Sequence, residues 1–237
     1  MDPIRGIASH GHDAQLLYLY AYIHDAMHDY ILECPASKRM LSSIARFERK
    51  AFDSDATPLM QLSDFWSKNA YQVIALRSGD KLVAYSLFEI LNKRGSEIVR
   101  SGVLVDKRLN ASHTLNPRYM HKASAIYFDG IGALGRGDER DRRVAAIMYA
   151  RASLIEKALR LPIRAYAIAA TRNGARLIRS YGGKKIASGA LRTKRKYALF
   201  EIMITREWCR SVKKRASKRL SGIEFEFAFE RKRKAKT

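Results

Sequence analysis

Cysteine is nearly absent from this sequence, which holds only Cys34 and Cys209 among 237 residues. Two cysteines so far apart form neither the disulfide framework of a small secreted protein nor a thiolate zinc site. No apolar run reaches the roughly 18 residues of a membrane-spanning helix. The first six residues do not resemble the start of a secretory signal. These absences favour a protein without a transmembrane segment in a reducing compartment, the cytoplasm or the nucleus.

Acidic residues are scarce, with 23 Asp and Glu against 45 Lys and Arg, so that the net charge is +22. The hydrophobic content of 47% is that of a globular chain, and the charge is therefore no sign of disorder. A charge of this size favours a polyanionic partner such as RNA, DNA or the ribosome. A role in solubility alone is the alternative.

The hydrophobic periodicity changes along the chain. Before residue 70 it predicts helices, over residues 12–32, 37–52 and 59–68. Strands are predicted over residues 71–77, 81–91, 96–105 and 124–134, with a loop at 106–122. A charged loop over 135–143 then leads into a helix over 144–160 and a strand over 163–170. A short helix begins at Thr171 and is closed by Gly182, and the last clear strand covers 197–205.

This order of elements predicts an α+β fold with a mixed, mostly antiparallel central sheet flanked by helices. We divide the chain into N-terminal helices (1–70), a core (71–205) and a basic C-terminal extension (206–237). Within the extension, residues 223–230 alternate like an edge strand, and residues 231–236 are expected to be a flexible basic tail.

An apolar strand, a basic loop and a helix follow one another between residues 125 and 148. A helix N-terminus presents unpaired amides and a positive dipole end, which together bind a pyrophosphate. The small side chains of Ala145 and Ala146 let a phosphate approach the backbone closely. Arg140, Arg142 and Arg143 add charge-assisted contacts.

The same stretch resembles the acetyl-CoA loop of the GCN5-related N-acetyltransferase (GNAT) family, whose pattern is Gln/Arg-x-x-Gly-x-Gly/Ala. Arg140 matches the first place, Val144 the apolar place and Ala145 the last. Arg143 stands where the family has glycine.

Further along the chain, residues 163–170 and the segment from Asn173 to Gly183 resemble the family's next strand, its Asn-initiated helix and its closing turn. The resemblance covers residues 71–205. It implies an acyl-CoA-binding core with acetyl-CoA as co-substrate, and Asn173 as a cofactor contact.

Transfer of an acetyl group to an amine needs a base for the ammonium proton and an acid for the leaving thiolate. Asp129, within the central strand, is the first candidate base, and Glu89, near the end of another strand, is the second. The resemblance implies a tyrosine acid at a position that Ile178 occupies here. Tyr181 lies near it and is the candidate acid, with simple packing as the alternative.

The resemblance therefore implies an enzyme, an acetyl-CoA-dependent N-acyltransferase. The charge suggests an amine acceptor that is itself anionic or associated with nucleic acid. A catalytically silent GNAT-like fold that binds nucleic acid or protein is the alternative, and Arg143 and the displaced tyrosine favour it. Transfer of another acyl group is a third hypothesis.

Two further motifs have competing interpretations. Residues 130–135 match the dinucleotide fingerprint Gly-x-Gly-x-x-Gly, but no amphipathic helix start follows them. Their glycines are better explained as allowing a strand distortion that opens the sheet for a ligand. His24 and His28 stand one helical turn apart without a third ligand, and we predict no metal site.

Overall fold

The computed structural model describes residues 17–25, 28–103, 105–190, 196–221 and 224–231. The strands are β1 (Leu17–Asp25), β2 (His28–Cys34), β3 (Val73–Ser78), β4 (Lys81–Leu91), β5 (Ala125–Ala133), β6 (Ile163–Ala169), β7 (Lys184–Ala190), β8 (Lys196–Ile204) and β9 (Glu224–Arg231). The helices are α1 (Met40–Phe52), α2 (Leu59–Lys68), α3 (Lys93–Ser101), α4 (Val105–Arg108), α5 (Gly137–Ala158), α6 (Arg172–Ser180) and α7 (Arg206–Arg219). None of the helices in these ranges is long and apolar enough to cross a membrane.

All nine strands of the described residues belong to one sheet, in the order β7-β8-β6-β5-β4-β3-β2-β1-β9. Within it, β5 and β6 are parallel, and the other described pairs are antiparallel. The predicted α+β class, with a mixed and mostly antiparallel sheet, is confirmed.

Helices cover both faces of the sheet, as the alternation along β3 shows. Ile74 and Leu76 join a core that includes the buried face of α5, while Val73 and Ala75 join a second core beneath α1 and α2. Side chains of successive strand residues point to opposite faces, so β3 has to be apolar throughout. Full burial of a side chain such as Ile74 contributes about 1.5–3 kcal/mol.

The predicted helix over residues 12–32 is wrong in its described part. There, β1 and β2 pair as antiparallel strands, from Leu19↔Cys34 to Asp25↔His28. β1 also pairs with β9, and β2 pairs with β3. Hydrogen bonding to a distant strand on each side overrides the local helical periodicity. His24 and His28 therefore lie on neighbouring strands and not one helical turn apart.

The predicted strand over residues 96–105 is also wrong, because α3 occupies most of it. The Asn92 side chain accepts a hydrogen bond from the Gly95 N–H at 2.9 Å and so caps the helix. Gly102, in the left-handed conformation with φ of 66°, ends it. The expected loop over 106–122 contains part of α4 and two short 3₁₀ turns.

The long helix α5 begins at Gly137, inside the expected charged loop. Asp138 and Glu139 lie in its first turn, where a negative charge stabilises the positive end of the helix dipole.

The helices predicted over 37–52, 59–68 and from Thr171 are confirmed within a few residues, as are the strands that became β3, β4, β5, β6, β8 and β9. Gly182 closes α6 with φ of 85°, as expected. The basic segment after residue 205 contains α7, and β7 was not predicted. Residues 232–237 lie outside the described residues. The division at residues 71 and 205 stays a prediction, and the sheet extends across both positions.

Candidate functional site

The parallel strands β5 and β6 separate part-way along their length. Their pairing runs from Ile126↔Ala165 to Phe128↔Ala167, while β5 continues to Ala133 against β4 alone. A cavity of about 300 Å³ is lined by the parts of both strands that follow this separation. The sheet is therefore opened at its centre, between two strands that both remain anchored on their outer sides.

A β-bulge lies where the two strands part. Phe128 and Asp129 of β5 stand opposite a single residue of β4, Phe88. A bulge bends its strand and re-aims the side chains beside it, and here Asp129 and the following Gly130 line the cavity. The strand distortion expected from the glycine-rich segment is present.

Part of the lining of the cavity suits an anion. The Thr171 hydroxyl accepts a hydrogen bond from the Gly174 N–H at 2.9 Å and caps α6. Asn173 and Gly174 line the cavity in the first turn of this helix, which carries no acidic residue there. Arg140 of α5 also lines the cavity. A helix N-terminus and a guanidinium group together favour a bound phosphate.

The predicted cofactor contacts divide into two groups. Arg140, Val144 and Asn173 line the cavity. Ala145 and Ala146 are buried in the core instead, since α5 begins at Gly137 and its unpaired amides lie about two turns before the predicted start at residue 144. The predicted close approach of a phosphate to these two alanines therefore has no support in the geometry. Arg142 and Arg143 are likewise outside the described lining of the cavity.

Arg143, which stands in the place of the family's glycine, points away from the cavity into a network of its own. It donates hydrogen bonds to the Leu134 carbonyl at 3.0 Å, the Tyr30 hydroxyl at 3.1 Å and the Glu139 carboxylate. Its side chain is 9% exposed. These contacts tie the loop after β5 to α5 and to β2, so Arg143 acts in positioning the loop.

The two candidate bases lie in different environments. Asp129 lines the cavity, and its carboxylate accepts a hydrogen bond from the Thr57 hydroxyl at 3.3 Å. Glu89 is 4% exposed and outside the described lining. Burial, together with the nearby charges of Asp129 and Asp106, raises the pKa of Glu89 well above its usual range. Both causes disfavour the charged form of Glu89, the form that accepts a proton, and its side chain lies outside the described lining, so Asp129 is the better placed candidate base.

Glu48 of α1 is a site residue that the sequence analysis missed. It is 4% exposed, lines the cavity and accepts a hydrogen bond from the Tyr85 hydroxyl. Burial raises its pKa to about 8, and the charge of Asp129 adds to the rise, while the bond from Tyr85 opposes it. One signal was visible: Glu48 follows Ile44 by one helical turn on the buried side of α1.

The raised pKa of Glu48 predicts that the protein loses stability as the pH rises. The folded state keeps a proton that the unfolded chain releases near its ordinary pKa of 4.5, so the free energy of unfolding falls between about pH 4.5 and 8. Glu48→Gln should reduce this fall by up to about 4 kcal/mol. Urea unfolding at pH 5 and pH 8.5 measures the fall in the free energy of unfolding for each protein. Glu97→Gln, at an exposed position of α3, is the control, and an equal fall in Glu48→Gln and wild type contradicts the assignment.

Tyr181 is brought to the cavity at the end of α6. Its carbonyl accepts a hydrogen bond from the Trp208 indole N–H at 2.8 Å, and the Arg215 guanidinium lies 5.1 Å from its ring centroid. Burial raises the pKa of the Tyr181 hydroxyl, which therefore holds its proton at neutral pH. Ile178, at the family's tyrosine position, lines the same cavity.

Arg151 is a second residue that the sequence analysis missed. It lies within α5, 4% exposed, and lines the cavity. Its Nε donates to the Ser86 hydroxyl at 2.9 Å and one terminal nitrogen reaches the Gly130 carbonyl at 3.3 Å. The guanidinium carbon lies 4.5 Å from the centroid of the Phe128 ring. Arg151 thus fastens the bulged segment of β5 to the helix.

Comparisons with known proteins show that the fold of this chain is similar to that of solved structures. No protein-family model and no curated protein sequence matches the chain. Ard1 from Thermoplasma volcanium is similar, with a TM-score of 0.51, 10% identity, and coverage of 78% of this chain and 97% of that one. The loading GNATL domain of CurA from Lyngbya majuscula has a TM-score of 0.54, 11% identity, and coverage of 73% and 97%. At such identities the likeness shows the fold alone.

Proposed function

We propose that this chain, which has the fold of the GCN5-related N-acetyltransferases, is an acetyl-CoA-dependent N-acetyltransferase. The observation that supports this most is the opening between β5 and β6, with a cavity of about 300 Å³ at the point of separation. The opening is lined by the N-terminal turn of α6, which suits a phosphate, and by a half-buried carboxylate, Asp129, beside the bulge. A ligand with a phosphate at one end and a reactive group at the other fits this order.

Acetyl-CoA would be held by three parts of the cavity. The N-terminus of α6 and Arg140 would bind the pyrophosphate. The pantetheine arm would lie between the separated strands, where the backbone of β5 after Phe128 has no partner in β6. Apolar side chains along the lining, among them Val144 and Leu177, would cover the arm. The bound co-substrate supplies the thioester.

The reaction moves three protons, and two side chains of the cavity would handle them. Asp129 would take the first proton from the acceptor ammonium, so that the neutral nitrogen attacks the thioester carbonyl carbon and forms the new carbon–nitrogen bond. The carbon–sulfur bond then breaks, the Tyr181 hydroxyl would donate its proton to the leaving thiolate, and the second proton of the nitrogen would pass to the Tyr181 oxygen, so that the amide is neutral and Tyr181 regains its hydroxyl. Both side chains line one cavity, which supports a working site over a silent fold.

Acetyl-CoA should stabilise the folded protein against heat. At about 100 times its dissociation constant a ligand contributes roughly 2.7 kcal/mol, which corresponds to a Tm rise of about 5–10 °C for a chain of this size. Arg140→Asp should remove most of this rise through repulsion of the phosphates. Thermal unfolding with and without millimolar acetyl-CoA, and calorimetry for the affinity, measure both effects.

Arg142→Asp is the matched control, because it makes the same charge change two residues away on α5, outside the described lining of the cavity. Equal loss in the two variants contradicts the placement of the phosphates, and a wild-type Tm that acetyl-CoA leaves unchanged contradicts the proposed function.

A polyanionic partner is a second part of the proposal, and α7 supports it. Seven of the fourteen residues of this helix are Lys or Arg. Some are engaged internally: Lys213 pairs with Glu156, and Arg215 donates to the Ser180 carbonyl. Arg219 pairs with Asp141 of α5. The remaining four, Arg206, Arg210, Lys214 and Lys218, are exposed and give the helix a basic surface suited to RNA, DNA or the ribosome. This surface would act alongside the cavity and needs no catalytic role.

A further inference from the structure

Thr57 lies in the short segment that joins α1 to α2, residues 53–58, and is only 4% exposed. Polar side chains in such connections usually face water, because the connections run over the surface. The Thr57 hydroxyl instead donates a hydrogen bond to the Oδ2 atom of Asp129 at 3.3 Å, although the two residues are 72 positions apart. Thr57 is outside the described lining of the cavity. It therefore contacts the candidate base without facing the cavity itself.

The backbone of Thr57 is held as well as its side chain. Its N–H donates a hydrogen bond to the carboxyl group of Glu48, which also accepts one from the Tyr85 hydroxyl. Glu48 lies directly against β5, since a Cβ atom added at Gly130 would come within 2.7 Å of the Glu48 Oε1. Gly130 follows Asp129 in the chain, so Glu48 fixes the Thr57 backbone beside the residue that the Thr57 hydroxyl contacts.

The segment that carries Thr57 has a second anchor, on the other side of the opening in the sheet. The Tyr197 hydroxyl of β8 donates to the Asp55 carboxylate at 2.6 Å, and β8 pairs with β6. Residues 53–58 are thus bonded to β5 through Thr57 and to the strand beyond β6 through Asp55. Attachment on both sides of the opening restricts the movement of Thr57 relative to β5.

The orientation of the Asp129 carboxylate depends on two separate restraints. The β-bulge at Phe128 and Asp129 sets the direction in which the side chain leaves β5, and Arg151 holds the carbonyl of the next residue, Gly130. Rotation about the Cβ–Cγ bond is not set by the backbone, because that torsion is broad in aspartate. The Thr57 hydroxyl restrains this rotation, since it holds one carboxylate oxygen in place.

We propose that Thr57 is a positioning residue of the acetyl transfer, whose hydroxyl holds the Asp129 carboxylate in the orientation that takes the proton of the acceptor ammonium. The inference rests on the proposed function, in which Asp129 is the base. Thr57 transfers no proton itself: its hydroxyl keeps its proton, and the proton of the acceptor goes to Asp129. A general base has to lie within hydrogen-bond reach of the proton that it takes, and a carboxylate that rotates freely is there for less of the time.

Thr57→Val tests the hydroxyl, because valine keeps the branched shape and has a methyl group in place of the O–H. The kcat of acetyl transfer should fall about tenfold, the effect of losing one hydrogen bond to a charged group. The KM for acetyl-CoA should stay within about twofold, since Thr57 is outside the described lining of the cavity. Thr57→Ser restores the donor and should return kcat to within about threefold of the wild type. Thiol release from acetyl-CoA, with butylamine as the acceptor, measures these constants.

Thr114→Val is the matched control for this substitution. Thr114 is 2% exposed, its hydroxyl donates to the Ala111 carbonyl at 3.0 Å, and it is outside the described lining of the cavity. The control therefore removes a buried, hydrogen-bonded hydroxyl that has no contact with the base. Its kcat should stay within about twofold of the wild type, and thermal unfolding shows how much stability each valine variant loses.

The double variant Thr57→Val, Asp129→Asn separates positioning from a general disturbance of the site. Once the base is removed its orientation no longer matters, so Thr57→Val should change the residual kcat of Asp129→Asn by less than about twofold. A further tenfold loss in the double variant would show that Thr57 acts independently of Asp129, and the inference would be overturned.

Failure of the inference and failure of the proposed function give different results. A wild-type kcat in Thr57→Val, or a loss that Thr57→Ser does not recover, overturns the inference alone, because the wild type still releases thiol and acetyl-CoA still raises its Tm. A wild type that shows no such rise in Tm, or no thiol release that depends on butylamine, contradicts the proposed function and the inference with it.

Discussion

Asp129→Asn should lower the turnover number of acetyl transfer by about 100- to 10,000-fold, the usual contribution of a positioned general base. Asparagine keeps the size of the side chain and an oxygen that accepts from Thr57, but it takes no proton from the acceptor ammonium. The affinity for acetyl-CoA should stay within about twofold, because the residues proposed to bind its phosphates lie on α5 and α6. Steady-state thiol release at saturating acetyl-CoA, with calorimetry beside it, measures the two quantities.

The pH profile distinguishes loss of the base from a change of shape. If Asp129 is the base, the residual activity of Asp129→Asn should rise with pH, as solution hydroxide and the free amine replace it. Asp64→Asn, exposed on α2, should match the wild type at every pH. Unchanged turnover in Asp129→Asn would contradict the assignment of Asp129 as the base.

Arg151→Ala should lower the free energy of unfolding by about 3–5 kcal/mol, the range for removal of one partner from a buried charged network. The substitution leaves the Ser86 hydroxyl and the Gly130 carbonyl without this donor and creates a cavity against Phe128. Burial lowers the pKa of the Arg151 guanidinium to about 10, so it is still charged at neutral pH. Urea unfolding monitored by circular dichroism at pH 7 measures the loss.

Arg164→Ala is the matched control for this measurement. Arg164 is 56% exposed and lies 4.0 Å from Glu201, a surface pair worth about 0–1 kcal/mol. A loss below about 1 kcal/mol in Arg151→Ala would show that the bulged segment of β5 holds its shape without the helix. Arg151→Met, which keeps much of the volume, should recover part of the loss.

Sequence patterns over short stretches of the chain are enough to predict the opening of the sheet. The apolar strand, the glycines after it and the helix that follows belong to one continuous stretch. The structure of such a strand–helix unit depends mainly on residues that are close together in the sequence. Asp129 was identified because it interrupts an apolar strand, and Thr171 because its side chain type caps helices. Both signals depend on immediate neighbours. The Thr171 cap is confirmed; Asp129 lines the cavity, and its role as a base stays a prediction.

Short sequence patterns do not identify residues that come together only through contacts between distant parts of the chain. The periodicity of the β1–β2 hairpin predicts a helix, because the strands that override this periodicity, β3 and β9, are distant in the sequence. Asp55 reaches the cavity from a 3₁₀ turn and Asp106 from the short helix α4, both too short to show periodicity, and no pattern connects them to Asp129. Glu48 and Arg151 are different, since each interrupts the apolar face of a predicted helix. A charged residue on the apolar face of a predicted helix is therefore the one sequence feature that indicates a buried polar site here.

The pairing of β1 with β9 sets an order of events during synthesis. Residues 17–25 emerge from the ribosome early, and residues 224–231, their partners, emerge after nearly all the rest of the described chain. Until then β1 has hydrogen-bond partners in β2 alone, and its outer edge is open to other strands. An open edge invites pairing between molecules, and closing so long a loop is slow. The outer edge of β1 in the nascent chain is therefore open to pairing with other molecules until β9 is made.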